Sequence, residues 1–222
     1  SSGAAGSDHH HLQELRDGDA HRVGKVARVS ELYLVTPSLL HADAFLPVLE
    51  QRLAHHQPAA LLLRLGGGLT PVAQTDLIGA VRPLVQNMGV ALMLEDAPAL
   101  VMQTGCDGVH LSASYQAASV RDVRRQIGDE LQLGVAVGSS RDAAMRAGEE
   151  GADYICFAPD TPDKAEDTQA VQALAQWWCM MMELPAVACA NTPEQARALA
   201  GCDVDFVMPD ACWWDDPAPW AL

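Results

Sequence analysis

The chain has 222 residues, of which 49% are apolar, and this is enough for one domain with a sizeable core. Its 29 acidic and 14 basic residues give a formal net charge of −15. This charge repels polyphosphate backbones and anionic membrane surfaces, so nucleic-acid and membrane partners are disfavoured. No run approaches the roughly 20 apolar residues of a membrane span, and the N-terminus shows no signal-peptide core, so we expect a cytoplasmic protein.

The N-terminal residues and the cysteines carry little functional signal. Residues 1–24, which begin SSGAAGSDHHH, indicate a tail that can hold a short helix, and residues 25–222 indicate one domain. The three tail histidines would bind a metal ion only if they were held rigid. No Cys-x-x-Cys pair occurs among the six cysteines, so we expect free thiols in a reducing compartment rather than zinc ligands or disulfides.

From residue 31 onward, short apolar runs alternate with longer segments of helical periodicity. Eight runs are predicted as strands: 31–36, 59–65, 90–95, 107–112, 131–137, 153–159, 184–190 and 203–209. Nearly all are apolar throughout, as expected of parallel strands covered on both faces. Helix starts are predicted at Thr70 and Thr192, each followed by Pro, and at Ser139 or Ser140. Eight such units favour a closed (β/α)8 TIM barrel over an open doubly wound sheet.

Three similar segments precede the fourth, sixth and eighth predicted strands: TGCDGVHL at 104–111, EGADYICF at 150–157 and AGCDVDFV at 200–207. In each segment a Gly is expected to end a helix with positive φ, and an Asp is expected to bind loop amides. We therefore predict Asp107, Asp153 and Asp203 at the N-terminal ends of their strands. The chemistry is then expected at the opposite, C-terminal ends of the strands.

Several motifs stand in an order known from one enzyme family: LYLVT at 32–36, LLLR at 61–64, LED at 94–96, GCDGVHL at 105–111, GADYICFAP at 151–159 and LPAVA at 184–188. From the first predicted strand through the eighth, the sequence resembles thiamine-phosphate synthases and their relative, the thiazole tautomerase. The resemblance implies a TIM barrel that joins a pyrimidine diphosphate to a thiazole phosphate, with Mg²⁺ aiding the loss of pyrophosphate.

The resemblance also implies roles for seven side chains: Arg64 and Lys164 as catalytic cations, Asp96 and Glu95 as Mg²⁺ ligands, and His110, Ser139 and Asn191 as substrate contacts. Structural roles stay open for some of them. His110 also fits a packed, hydrogen-bonded strand residue, which is the more frequent role of a lone His in a strand. Lys164, surrounded by acidic residues, equally fits a surface ion pair. Glu95 and Asp96 equally fit a solvated helix start.

Other positions depart from the family's pattern. Gly66 stands where the family has a Lys, and Tyr115 stands where it has a second metal-binding Asp. Ala190 replaces a Gly after the seventh strand, and Pro209 and Asp210 replace residues that offer N–H groups to a phosphate. Proline has no N–H to donate, and a carboxylate repels a phosphate. We therefore expect a diverged site with doubtful Mg²⁺ binding and without full synthase activity.

Two other functions stay open: a barrel that binds a different small molecule, and a non-catalytic protein with a protein partner or a second copy of itself. The segment CWWDDPAPW at 212–220 bears on the second of these. Exposed tryptophans beside prolines are typical of contact surfaces. Buried tryptophans would instead close the barrel in place of a full eighth helix, and we favour that interpretation.

Overall fold

Eight parallel strands close into a barrel in the computed structural model, which describes residues 29–222. The strands are β1 Glu31–Val35, β2 Ala60–Leu63, β3 Ala91–Glu95, β4 Gly108–Leu111, β5 Gln132–Gly138, β6 Tyr154–Phe157, β7 Ala186–Ala190 and β8 Phe206–Pro209. Each pairs with its neighbours in chain order, and β8 pairs with β1. The predicted TIM barrel is confirmed. The predicted tail, residues 1–24, lies outside the described residues.

Seven α-helices cover the barrel within residues 29–222: α1 Leu46–His56, α2 Pro71–Asn87, α3 Pro98–Thr104, α4 Val120–Ile127, α5 Arg141–Glu150, α6 Ala165–Met181 and α7 Pro193–Gly201. The predicted N-caps at Thr70 and Thr192 are confirmed, because each hydroxyl accepts a hydrogen bond from an amide of the first helical turn. At α5 the cap is Ser140, whose hydroxyl accepts from the Ala143 amide. Ser139 is therefore free of a capping role.

The interior of the barrel is filled by side chains that alternate with those facing the helices. Its polar members form a chain in which the Tyr33 and Tyr154 hydroxyls lie 2.6 Å apart and Nδ1 of His110 lies 2.9 Å from the Tyr154 hydroxyl. The Tyr154 ring occupies the space beside Gly134, where a Cβ would lie 2.0 Å from Cζ of the ring. Because the interior is packed, ligand binding is restricted to its ends.

Two of the three predicted aspartates connect strands at the N-terminal end of the barrel. Asp107 accepts a hydrogen bond from the Leu92 amide of β3, at 2.7 Å. Asp153 accepts from the Leu133 amide of β5 and forms an ion pair with Arg124. In both cases the carboxylate precedes its own strand and binds the neighbouring one. These residues therefore have the structural role that the repeated segments predict.

The third prediction, for Asp203, is wrong by two residues. Here the carboxylate that binds the neighbouring strand belongs to Asp205, which accepts from the Ala186 amide of β7 at 2.9 Å. Gly201 is the last residue of α7, and the positive φ that ends this helix falls instead on Asp203, at 58°. The helix extends through Gly201 and the loop is one residue longer than in the other two segments, so the left-handed residue and the strand-binding carboxylate both lie two positions later.

The C-terminal tryptophans are buried. Trp213, Trp214 and Trp220 belong to two 3₁₀ helices, Ala211–Trp214 and Ala218–Trp220, and are at most 7% exposed. Nε1 of Trp214 donates to the Val35 carbonyl at 2.7 Å, and its ring packs against Phe45. The segment closes the barrel wall between α7 and α1, which confirms the favoured interpretation. These rings are therefore not an exposed contact surface for a partner.

Candidate functional site at the C-terminal mouth

A cavity of about 210 Å³ opens at the C-terminal ends of the strands. Its wall includes Arg64 after β2, Cys189 and Asn191 at the end of β7, and Met208 and Asp210 at the end of β8. This is the end at which TIM barrels carry their active sites. Two of the seven residues proposed for the site, Arg64 and Asn191, line this cavity.

Arg64 is paired with a carboxylate that the sequence suggests as a metal ligand. Its Nε lies 3.2 Å from both carboxylate oxygens of Glu95. The Arg64 side chain is 40% exposed and that of Glu95 is 21% exposed, so the pair stabilises the fold by about 1 kcal/mol at most. Its main effect is on charge, because each partner neutralises the other at the mouth.

Asp96 holds the loop that follows β4. Its Oδ1 accepts from the Ser112 amide at 2.7 Å, and its Oδ2 accepts from the Ser112 hydroxyl at 2.6 Å. Asp96 also has a positive φ of 58°, a conformation that non-glycine residues seldom adopt. Both carboxylate oxygens are thus committed to one serine. Ser112 has no role in the family's pattern, and sequence reasoning missed it.

The described part of the chain offers no preformed Mg²⁺ centre. Between residues 29 and 222, no group of three or more His, Cys, Asp or Glu side chains is placed to hold a metal ion. Mg²⁺ needs carboxylate oxygens that are open to it. Because Glu95 is paired with Arg64 and Asp96 is bound by Ser112, these residues do not fit the ion as they stand.

His110 lies inside the barrel rather than in the wall of the cavity. It is 3% exposed, and its hydrogen bond to Tyr154 connects it to the interior tyrosines. Burial is the main cause and the positive charge of Arg64 the lesser one of a His110 pKa that is lowered to about 3. The imidazole is therefore neutral at physiological pH. This geometry supports the structural alternative for His110.

Ser139 and Lys164 lie outside the cavity wall. The Ser139 hydroxyl donates to Oδ2 of Asp160 at 2.9 Å. Its proton is therefore already used in a hydrogen bond to a carboxylate of the neighbouring loop. Lys164 is exposed at the N-cap position of α6. Neither residue is among those that line the cavity. The structure thus does not bring these two side chains together with Arg64.

Two backbone amides near the ends of β7 and β8 are occupied by side-chain oxygens. The Asn191 amide donates to Oε1 of Gln195 at 2.8 Å, and the Cys212 amide donates to Oδ1 of Asp210 at 3.0 Å. TIM barrels often bind phosphate with the loops after the seventh and eighth strands and a short extra helix. Sequence reasoning missed Gln195, although TPEQ at 192–195 has the form of a capping box that could have indicated it.

Comparisons with known proteins agree with the resemblance seen in the motifs. Residues 32–208 match the family model described as thiamine monophosphate synthase. The chain belongs to this family. It is 38% identical to the thiamine-phosphate synthase of Rhodospirillum centenum over 84% of this chain and 90% of that protein. It is 34% identical to the thiamine-phosphate synthase of Hyphomonas neptunium over 85% of this chain and 89% of that protein.

Among solved structures, the barrel is similar to thiamine phosphate pyrophosphorylase from Pyrococcus furiosus. The TM-score is 0.66 at 19% identity, and the match covers 88% of this chain and 93% of that one. It is also similar to a 3-dehydroquinate dehydratase from Geobacillus kaustophilus, with a TM-score of 0.60 at 15% identity over 81% and 82% of the two chains. At these identities the structural matches establish the barrel fold and nothing of its chemistry.

Proposed function

We propose that this member of the thiamine-phosphate synthase family lacks full synthase activity and that its mouth binds a small neutral or cationic molecule. The family reaction, the joining of a pyrimidine diphosphate to a thiazole phosphate, needs a site that accepts two anionic groups. The observation that carries the proposal is the occupation of the Cys212 amide by the Asp210 carboxylate. If the thiazole phosphate binds after the eighth strand, as the family's pattern implies, it would meet a negative charge there instead of a free N–H group.

The diphosphate side of the mouth supports the same conclusion. Among residues 29–222, Arg64 is the one cation that lines the cavity, and it is paired with Glu95. At Gly66, a Cβ would lie 2.5 Å from Cδ2 of Leu40 and 3.1 Å from the Leu39 carbonyl oxygen, so a Lys here requires a local shift. The carboxylates as they stand do not fit Mg²⁺, which needs carboxylate oxygens that are open to it.

A working synthase is the competing hypothesis. It is favoured by relatives of 38% and 34% identity that carry the name thiamine-phosphate synthase and match over most of their length. In this hypothesis, binding of the substrates must separate Arg64 from Glu95 and release Asp96 from Ser112. Both hypotheses imply a cytoplasmic protein with a small-molecule ligand and without a nucleic-acid partner.

A direct assay of the condensation reaction distinguishes the two hypotheses, because they predict different amounts of product. Purified protein is incubated with the pyrimidine diphosphate, the thiazole phosphate and Mg²⁺, and thiamine phosphate is measured by its fluorescent oxidation product. The synthase of Rhodospirillum centenum serves as the positive control. We expect no product above the background without protein. Turnover comparable to that of the control would overturn the proposal.

A second arm tests which difference from the family matters most. We expect the double variant G66K/Y115D, which restores a base and a carboxylate, to stay inactive while Asp210 is present. Thiazole alcohol, pyrimidine alcohol and thiamine, each tested separately by thermal shift, then probe the predicted preference for uncharged or cationic molecules. Stabilisation by the thiazole phosphate but by none of these would contradict the charge argument.

A further inference from the structure

Three sulfur atoms meet at the floor of the mouth. Sγ of Cys156 on β6 lies 3.6 Å from Sγ of Cys189 on β7, and Sγ of Cys189 lies 3.9 Å from Sδ of Met208 on β8. All three side chains belong to the group that fills the barrel interior. We infer that these sulfurs form a binding site for a soft monovalent metal ion, for which Cu(I) is the best fit. The inference does not depend on the function proposed above.

The spacing of the sulfurs matches metal coordination. With a metal–sulfur bond of about 2.3 Å, sulfurs around one ion lie roughly 4.0 Å apart in a planar trigonal site and roughly 3.8 Å apart in a tetrahedral one. A linear two-sulfur site would require roughly 4.6 Å. The observed 3.6 Å and 3.9 Å are close to the trigonal and tetrahedral values, so small side-chain movements suffice for a common ion.

The strand register argues against a disulfide bond between Cys156 and Cys189. Cys156 is the register partner of Val187, so Cys189 lies two residues further along β7. With strands about 4.8 Å apart and a rise of about 3.3 Å per residue, the two Cα atoms lie roughly 8 Å apart. Disulfides rarely span more than about 7 Å between Cα atoms. A metal ion can bridge the sulfurs without moving the strands.

Binding of Cu(I) changes the charge at the floor of the mouth. Both cysteines must lose their thiol protons to bind the ion, so two protons are released to solvent and the site carries one negative charge. Arg64 lines the same cavity, and its charge is shared with Glu95.

The ligand set selects the type of ion. Thiolate and thioether ligands favour Cu(I), whereas structural Zn²⁺ takes four ligands from Cys, His, Asp and Glu. Within residues 29–222, no three side chains of those types are grouped to hold a metal. Access is from the mouth, because Cys189 and Met208 line its cavity while Cys156 is buried beneath them. A bound ion would therefore occupy the floor of that cavity.

The test is a titration of the full chain with Cu(I) under anaerobic, reducing conditions, in competition with the chromophoric chelator bicinchoninate. We expect one tightly bound ion per chain, with only sulfur neighbours at about 2.3 Å in X-ray absorption spectra. Changes to outer-shell residues already weaken metal sites 10- to 100-fold, so C189S should weaken binding by about 100-fold or more. M208L, which conserves volume, should weaken binding while it preserves the fold.

C202S is the matched control, because Cys202 is also half-buried but lies at the opposite end of the barrel. We expect it to bind Cu(I) as the unchanged protein does. Equal affinity of the unchanged protein and C189S would overturn the inference. So would nitrogen neighbours in the absorption spectra, which would indicate the tail histidines, or full retention of affinity in M208L.

Discussion

Replacement of Asp210 by Asn is the sharpest test of charge at the mouth. Oδ1 of Asp210 accepts from the Cys212 amide at 3.0 Å, and Asn keeps a side-chain oxygen for this bond while it removes the charge. A phosphate near that amide would lie roughly 4 Å from the carboxylate, where two unit charges repel by about 1 kcal/mol in water and about 4 kcal/mol at an effective dielectric of 20.

The lower value applies, because Asp210 is exposed to solvent. For a phosphate dianion it gives about 2 kcal/mol, which corresponds to roughly 30-fold in affinity. We therefore expect D210N to bind the thiazole phosphate about 30-fold more tightly than the unchanged protein in isothermal titration calorimetry at low salt. The gain should shrink as salt is added.

D216N is the matched control for this experiment. Asp216 is also exposed, and its side chain accepts from the Ala218 amide near the second 3₁₀ helix rather than at the cavity. Replacement of Asp216 by Asn changes the net charge of the protein by the same amount as D210N does. If D210N bound the phosphate no more tightly than D216N, the carboxylate would not be what excludes the anion, and the reasoning would be refuted.

Three further predictions concern stability, measured by urea unfolding. G134A should cost about 3 kcal/mol or more because its Cβ would lie 2.0 Å from a tyrosine ring, whereas G79A, in open space on α2, should be neutral or stabilising by up to about 1 kcal/mol. D153N should cost roughly 1–3 kcal/mol through the loss of a mostly buried ion pair, and D142N, in an exposed pair, at most about 0.5 kcal/mol. His110 has a folded-state pKa of about 3, below its ordinary 6.5, so its contribution to stability is full above pH 6.5 and is lost as the pH falls toward 3.

Other outcomes of these unfolding experiments would contradict the three stability predictions. Equal stability of G134A and the unchanged protein would mean that the tyrosine ring can move aside without cost. Equal losses in D153N and D142N would mean that burial of the ion pair is unimportant. For the histidine, H110Q should show a shallower loss of stability between pH 7 and pH 4, and an unchanged slope would assign that pH dependence to the carboxylates alone.

The mouth of the barrel shows where sequence reasoning was limited. The motifs correctly placed Arg64, Glu95 and Asp96 at the ends of strands. They did not reveal that Arg64 and Glu95 pair with each other, or that Asp96 binds Ser112. These partners are 31 and 16 residues apart in the chain, and their contacts depend on which strands become neighbours and how each side chain turns.

What the sequence determined by itself is the barrel and its family. Apolar runs alternating with helical periodicity, and Thr-Pro pairs at helix starts, depend on local chemistry that can be read within a few residues. Only the tertiary structure decided that Asp205 rather than Asp203 binds the neighbouring strand, that the C-terminal tryptophans are buried, and that three sulfurs meet beneath the mouth. Each of these depends on loop length and on contacts between strands and helices distant in the chain. Closure of the barrel brings such residues together, and no local pattern specifies which of them will touch.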